Sequence, residues 1–82
     1  MTRRDSATQE EEKLMPTIKI LELVGVSENS FHDAVDNALE EAGRTVRGIS
    51  GLEVVNTTAK VRDGQIAEYH ANVKFAFPVE RG

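Results

Sequence analysis

Apolar positions change their spacing three times along this chain, and each change marks a different element. Residues 2–13, TRRDSATQEEEK, have no apolar periodicity and end in three consecutive glutamates. Such a segment buries too little to offset the entropy of ordering. Residues 1–15 are therefore expected to be a disordered N-terminal tail, and 16–82 one folded domain. Met15-Pro16 offers a second start of translation, and with either start the fold is expected to begin near Pro16. Thr17 to Val24, TIKILELV, then reads as a strand. Ile18 and Ile20 share one face, whereas Leu21 and Leu23 share the other. A strand apolar on both sides is one covered on both sides. In so small a chain the second cover is expected from a neighbouring subunit.

From Phe31 onwards the spacing becomes helical. Phe31, Ala34, Val35, Ala38, Leu39, Ala42, Val46 and Ile49 fall on one stripe, leaving His32, Asp33, Asp36, Asn37, Glu40, Glu41, Arg44 and Arg47 outside. Ser30 with Asp33 forms a variant capping box, and the acidic start and basic end suit the helix dipole. Glu40 and Arg44 are placed to pair, which contributes about 0.2–0.5 kcal/mol. Gly43 inside a helix costs about 1 kcal/mol relative to alanine, which points to close backbone packing there. Gly48 or Gly51 is expected to end the helix.

Leu52 to Arg62 and Gln65 to Val79 read as two strands around Asp63-Gly64, a type I′ hairpin signal. Ala67, Tyr69, Ala71, Val73, Phe75 and Phe77 alternate with Glu68, His70, Asn72 and Lys74. An unbroken register from Arg62 opposite Gln65 places Leu52 by Phe75 and Val54 by Val73, both pairs covering the helix. The other face then holds Glu53 by Lys74, Val55 by Asn72 and Thr57 by His70, with Gly51 beside them. The expected fold is α+β in the order β-α-β-β, a three-stranded antiparallel sheet wrapped around one helix. Such a sheet leaves its far side bare, which again calls for assembly.

The composition narrows the partners. The chain has 82 residues, enough for one domain with a marginal core when folded alone. It has no cysteine, so neither disulfides nor thiolate zinc sites supply the missing stability. Oligomerisation is the remedy left. A net charge of -4 argues against a nucleic-acid partner. No apolar run approaches the roughly 20 residues of a membrane span, and no secretory signal is visible, so a cytoplasmic protein is expected. Nucleophile–base spacings, phosphate-cradling glycine loops and metal constellations are missing, so an enzyme is not expected.

Several local marks together resemble the dodecins over about residues 16–79. They are Val24-Gly25-Val26-Ser27, read as a turn, the Phe31–Ala34–Val35–Ala38 helix face, Glu53-Val54, the Asp63-Gly64 turn, and the strand from Tyr69 to Phe75-Ala76-Phe77. The resemblance implies a homododecameric shell of cubic symmetry, helices outside and sheets inside, that binds and stores a small ligand. Flavin (riboflavin, FMN or FAD) is the family's leading ligand. In flavin-binding members, a two-fold-related pair of tryptophans stacks the isoalloxazine rings, and a glutamine on the last strand bonds their polar edge.

Aligned on Leu52-Glu53-Val54, the tryptophan position is Gly51. Aligned on Tyr69 and Phe75-Ala76-Phe77, the glutamine position is His70. Gly51, Glu53, His70 and Lys74 are thus the candidate ligand-binding residues. Stacking on an aromatic side chain is worth about 1–3 kcal/mol per base. Loss of both tryptophans then weakens flavin binding by about 2–6 kcal/mol, or tens to tens of thousands of times.

The resemblance also extends to members that lack the tryptophan and are associated with calcium. For that ion Glu22, Glu53, Glu68 and Glu80 are the candidate oxygen donors, without any EF-hand loop. A purely structural shell is the third reading. His70 paired with Thr57 as an ordinary polar sheet residue, and Glu53 with Lys74 as a cross-strand ion pair, stand beside the ligand-binding reading. His32 is expected to face solvent or a subunit contact, and Tyr69 to be packing.

Overall fold

Strand β1 (Ile18–Ser27), helix α1 (Phe31–Thr45), strand β2 (Gly51–Arg62) and strand β3 (Gln65–Pro78) follow in the expected order in the computed structural model, which describes residues 17–79. The expected tail over 1–15 and Glu80 lie outside the described residues. The sheet is antiparallel with the order β1-β3-β2. The last strand in sequence is therefore the central one in space.

β1 runs three residues beyond its expected end at Val24. Val24-Gly25-Val26-Ser27 is strand, not turn, because all four residues pair with β3, Gly25 opposite Ala71 and Ser27 opposite Tyr69. Gly25 is small because the helix needs the room. A Cβ on it would sit 1.9 Å from the Ala34 carbonyl oxygen and 2.9 Å from the Ala38 Cβ. Ala34, Ala38 and Ala42 form the buried stripe of α1 against Ala71, Val73 and Phe75 of β3. Leu21, Leu23, Val35 and Ile49 close the margins of this core.

The helix start is bonded more tightly to β1 than a capping box alone requires. The Ser30 hydroxyl accepts from the Asp33 backbone N–H at 2.9 Å, as expected of an N-cap. The Asp33 carboxylate does not return to the Ser30 N–H. It accepts from the buried Ser27 hydroxyl at 2.8 Å, and Ser27 Oγ itself accepts from the Asn29 and Ser30 N–H groups at 2.8 and 3.4 Å. One hydroxyl thus satisfies two donors of the strand-to-helix turn.

The helix ends at Thr45, earlier than Gly48 or Gly51. Val46 is already extended at φ -134°, although its N–H still reaches the Ala42 carbonyl at 2.9 Å. The β-branched pair Thr45-Val46 favours extended backbone. The chain must also turn towards β2, where the Ser50 N–H meets the Ala76 carbonyl at 2.9 Å. Arg44 pairs with Glu40 at 3.2 Å and Glu41 at 2.9 Å, all exposed. Gly43 has nothing within 4 Å of a Cβ added to it, so the close packing expected there does not occur within the subunit.

Helix α1 packs on β1 and β3 but not on β2. Leu52 and Val54 lie on the helix side opposite Phe75 and Val73, yet each is 42% exposed instead of covering the helix. Every residue of β2 is exposed. The helix is one element wide, and its alanine stripe brings it down over two strands only.

The hairpin forms as expected, with Asp63 at φ 55° and Gly64 at φ 76°, both in the left-handed region that a type I′ turn needs. Its register is not unbroken. Irregularities between Lys60 and Val61 and between Val54 and Asn56 shift the pairing by one residue and then restore it. Arg62–Gln65, Leu52–Phe75, Glu53–Lys74 and Val54–Val73 therefore pair as expected. In between, Asn72 faces Asn56 instead of Val55, and His70 faces Thr58 instead of Thr57.

Gly25→Ala should be among the most damaging single changes. A methyl group directed into a backbone carbonyl cannot be relieved by a rotamer change, and overpacking costs about 1–3 kcal/mol or more. Thermal unfolding should show a large drop for Gly25→Ala and a rise of several degrees for Gly43→Ala, whose methyl group meets open space and which removes a helical glycine.

Candidate functional site

Strand β3 divides the sheet into two faces. Ala71, Val73 and Phe75 are buried under the helix, so Glu68, His70, Asn72, Lys74 and Ala76 lie on the opposite, outer face. Pairing carries this alternation across all three strands. The outer rows are Ile20–Ala76–Gly51, Glu22–Lys74–Glu53, Val24–Asn72–Asn56 and Val26–His70–Thr58. No described element covers them. Ile20 and Val24 on this face are each more than half exposed.

The four residues singled out in the sequence, Gly51, Glu53, His70 and Lys74, all fall on this outer face. Gly51 opens β2 opposite Ala76, and a Cβ built on it meets nothing within 4 Å. Glu53 stands opposite Lys74 in the register, as expected, and Glu22 flanks Lys74 on its other side, but the expected Glu53–Lys74 ion pair is not formed within the subunit. His70 is half-buried, with Nε2 3.0 Å from Glu68 Oε1, which makes Nε2 the protonated nitrogen in that hydrogen bond. His32 contacts Asp36 at 3.3 Å on the exposed helix surface.

The aromatic side chains lie on the helix side. Tyr69 packs edge-on against Phe31 with ring centroids 4.8 Å apart, and Phe75 is fully buried. The outer face therefore carries no benzenoid or indole ring among the described residues, and the imidazole of His70 is its one aromatic ring there. Glu22, Glu53 and Glu68, three of the four candidate oxygen donors, share this face, but among the described residues no group of three or more His, Cys, Asp or Glu is close enough to hold a metal. A separate open cleft of about 290 Å³ lies at the far end of the helix, lined by Lys19, Val46, Arg47, Phe77, Pro78 and Val79.

Sequence reasoning missed Asn56 and Thr58, which the register shift turns outward beside Asn72 and His70. No residue type announces that shift. The nearest signal is that Thr57-Thr58 and Val54-Val55 are pairs of strand formers on either side of Asn56, which leaves the parity open.

The hydrogen bond from His70 lowers the Glu68 carboxyl below its ordinary value of 4.5, with help from the Lys60, His70 and Arg62 charges and against partial desolvation. A carboxylate whose folded value is depressed stabilises the fold fully above its ordinary value. That contribution is lost as pH falls through the lowered folded value. Glu68→Gln should therefore lower the melting temperature at neutral pH and flatten its acid decline below pH 4.5, read from melting curves across the acid range.

A sequence model of the Dodecin family matches residues 17–80. The fold matches the dodecin of Streptomyces coelicolor with TM-score 0.77 and 32% identity, over 80% of this chain and 94% of that one. The dodecin of Streptomyces davaonensis matches with TM-score 0.76 and 28% identity, over 79% and 96%. A Thermus thermophilus protein matches with TM-score 0.76 and 29% identity, over 80% and 97%. No curated protein gives a significant match. With this sheet, this helix and a match over nearly all its described length, the chain belongs to the dodecin family.

Proposed function

We propose that this protein assembles as a homododecameric shell and sequesters a small planar ligand of the flavin type (riboflavin, FMN or FAD). The ligand would lie against the outer sheet face around Gly51, Glu53, His70 and Lys74, where copies of the chain meet. One observation carries the reading. The outer face is bare and apolar at its β1 margin, and it gathers all four candidate residues. A face of that kind needs a cover, and a second copy of the same face supplies both cover and ligand site.

The role is binding and storage, not catalysis. With Gly51 where a ring would rest, the ligand has no stacking platform, and affinity depends on the polar side chains of β3. Lys74 offers a cation and His70 a donor or acceptor to the ligand's edge. Calcium is the alternative occupant. It needs six to eight oxygens, so Glu22, Glu53 and Glu68 would have to combine across several copies. A structural shell with a vestigial pocket is the third reading. Among the described residues no helix is long and apolar enough to cross a membrane, and a cytoplasmic setting without nucleic-acid partners completes the proposal.

Fluorescence quenching on titration with riboflavin or FMN tests the ligand. The parent should bind weakly, and Gly51→Trp, which places a tryptophan in both two-fold-related subunits, should tighten binding by about 30-fold or more, the equivalent of about 2–6 kcal/mol of stacking. Quenching absent from both proteins, in samples that remain assembled, would remove the flavin reading. A melting point raised by calcium and lowered by chelator would put calcium in its place.

A further inference from the structure

The cleft of about 290 Å³ beyond the last turn of the helix lies away from the outer sheet face. Lys19 and Phe77 are register partners on the helix side, and Val46-Arg47 directly follow the helix. Its walls are apolar, with Val46, Phe77, Pro78 and Val79 all half-buried. Its two charged side chains are both positive. Lys19 and Arg47 are exposed, and neither forms an ion pair among the described residues. Glu40 and Glu41 of the helix are engaged by Arg44 instead. An apolar slot with two unmatched cations at its rim is complementary to an occupant that is acidic at one end and apolar at the other. Its volume is at the lower limit of small-molecule sites, and an open slot of that size suits a peptide segment.

The chain carries such a segment at the edge of the cleft itself. Residues 1–16 lie outside the described residues and ahead of the family match, which begins at residue 17. They close with Glu10-Glu11-Glu12-Lys13-Leu14-Met15-Pro16, acidic first and apolar next. Glu10 to Lys13 carry a net charge of -2, equal and opposite to that of Lys19 and Arg47. Thr17, the first described residue, is held beside the cleft. Its carbonyl accepts from the Val79 N–H at 2.8 Å, and Lys19 follows it along β1. Met15 and Leu14 come directly before Pro16-Thr17, and the stretch from Thr17 back to Glu12 reaches about 17 Å when extended. A segment of this composition buries too little to order itself, and the cleft supplies the surface it lacks.

We propose that residues 10–15 dock in this cleft of their own subunit. Leu14 and Met15 lie against Val46, Phe77, Pro78 and Val79, while Glu10, Glu11 and Glu12 neutralise Lys19 and Arg47. The docked segment is a strap that joins the start of β1 to the end of the helix and of β3, and it keeps free anions off the two cations. This docking does not depend on the ligand proposed above.

The chain has no tryptophan, so Leu14→Trp introduces a single indole whose emission reports its surroundings. In the full-length protein that emission should be blue-shifted from its value in denaturant, with acrylamide quenching reduced severalfold. Exposed ion pairs are individually weak, so Lys19→Glu and Arg47→Glu are made together, at positions where substitution rarely alters stability by much. The reversal should return emission and quenching to their values in denaturant. Glu10→Lys, Glu11→Lys and Glu12→Lys in the same chain should then restore the shielded state. An indole in Leu14→Trp as accessible as in denaturant would overturn the proposal, as would a shielded indole that the reversal leaves unchanged. A trace of the reversed Leu14→Trp chain, refolded with an excess of parent chains, should keep its exposed emission. Shielding regained in that mixture would overturn docking within the subunit and assign the cleft to the segment of a second copy. A melting temperature of the parent raised by millimolar phosphate, and not by sodium chloride of equal ionic strength, would show the cations open to free anions and would also overturn it.

Discussion

The close approach of the helix to β1 and β3 is the constraint on which the rest of the molecule depends. Gly25 has no room for even a methyl group, and the helix meets the sheet through Ala34, Ala38 and Ala42. Small residues on both sides let the two layers come together, with Phe75 and Val73 filling the space that remains. The Ser27 hydroxyl holds the turn that sets this approach, by bonding both the helix start and the Asp33 carboxylate. A helix seated so low covers two strands and no more. β2 is left exposed along its whole length, and the opposite face of the sheet is left exposed as well.

That geometry connects stability to function. Among the described residues, a single subunit has a core of six buried apolar side chains and two unattended surfaces. One is the helix side of β2, with Leu52 and Val54. The other is the outer face, with Ile18, Ile20, Val24 and Val26 along one margin and polar side chains along its centre. Covering the second surface with another copy brings two polar centres together. A ligand site built that way belongs to the assembly, and each subunit contributes a half that would bind little by itself.

The fold was readable wherever a change in periodicity or a turn residue carried the information. The alternation of β3, the helical stripe from Phe31 and the Asp63-Gly64 turn led to the observed elements and their order. Three features were less visible. Gly25 looks like a turn glycine from the sequence, because close approach between layers leaves no local trace. The helix stops at Thr45 because of the path the chain must take to β2, although Val46 and Ile49 keep helical spacing. The compensating register shifts at Val55 and near Lys60 are set by pairing between strands and have no residue signature. Of the candidate site, the two rows that hold Gly51, Glu53 and Lys74 were legible because they lie beyond both shifts. The surroundings of His70 were not, because Thr58 and Asn56 are turned outward between them.

The central claim is that the exposed faces of the subunit are covered by other copies of itself. Sedimentation of the untagged chain across the micromolar range measures this most directly. The account predicts a single species near twelve times the 9.0 kDa subunit mass, stable to dilution. A well-folded monomer, or a dimer that dissociates on dilution, would contradict it.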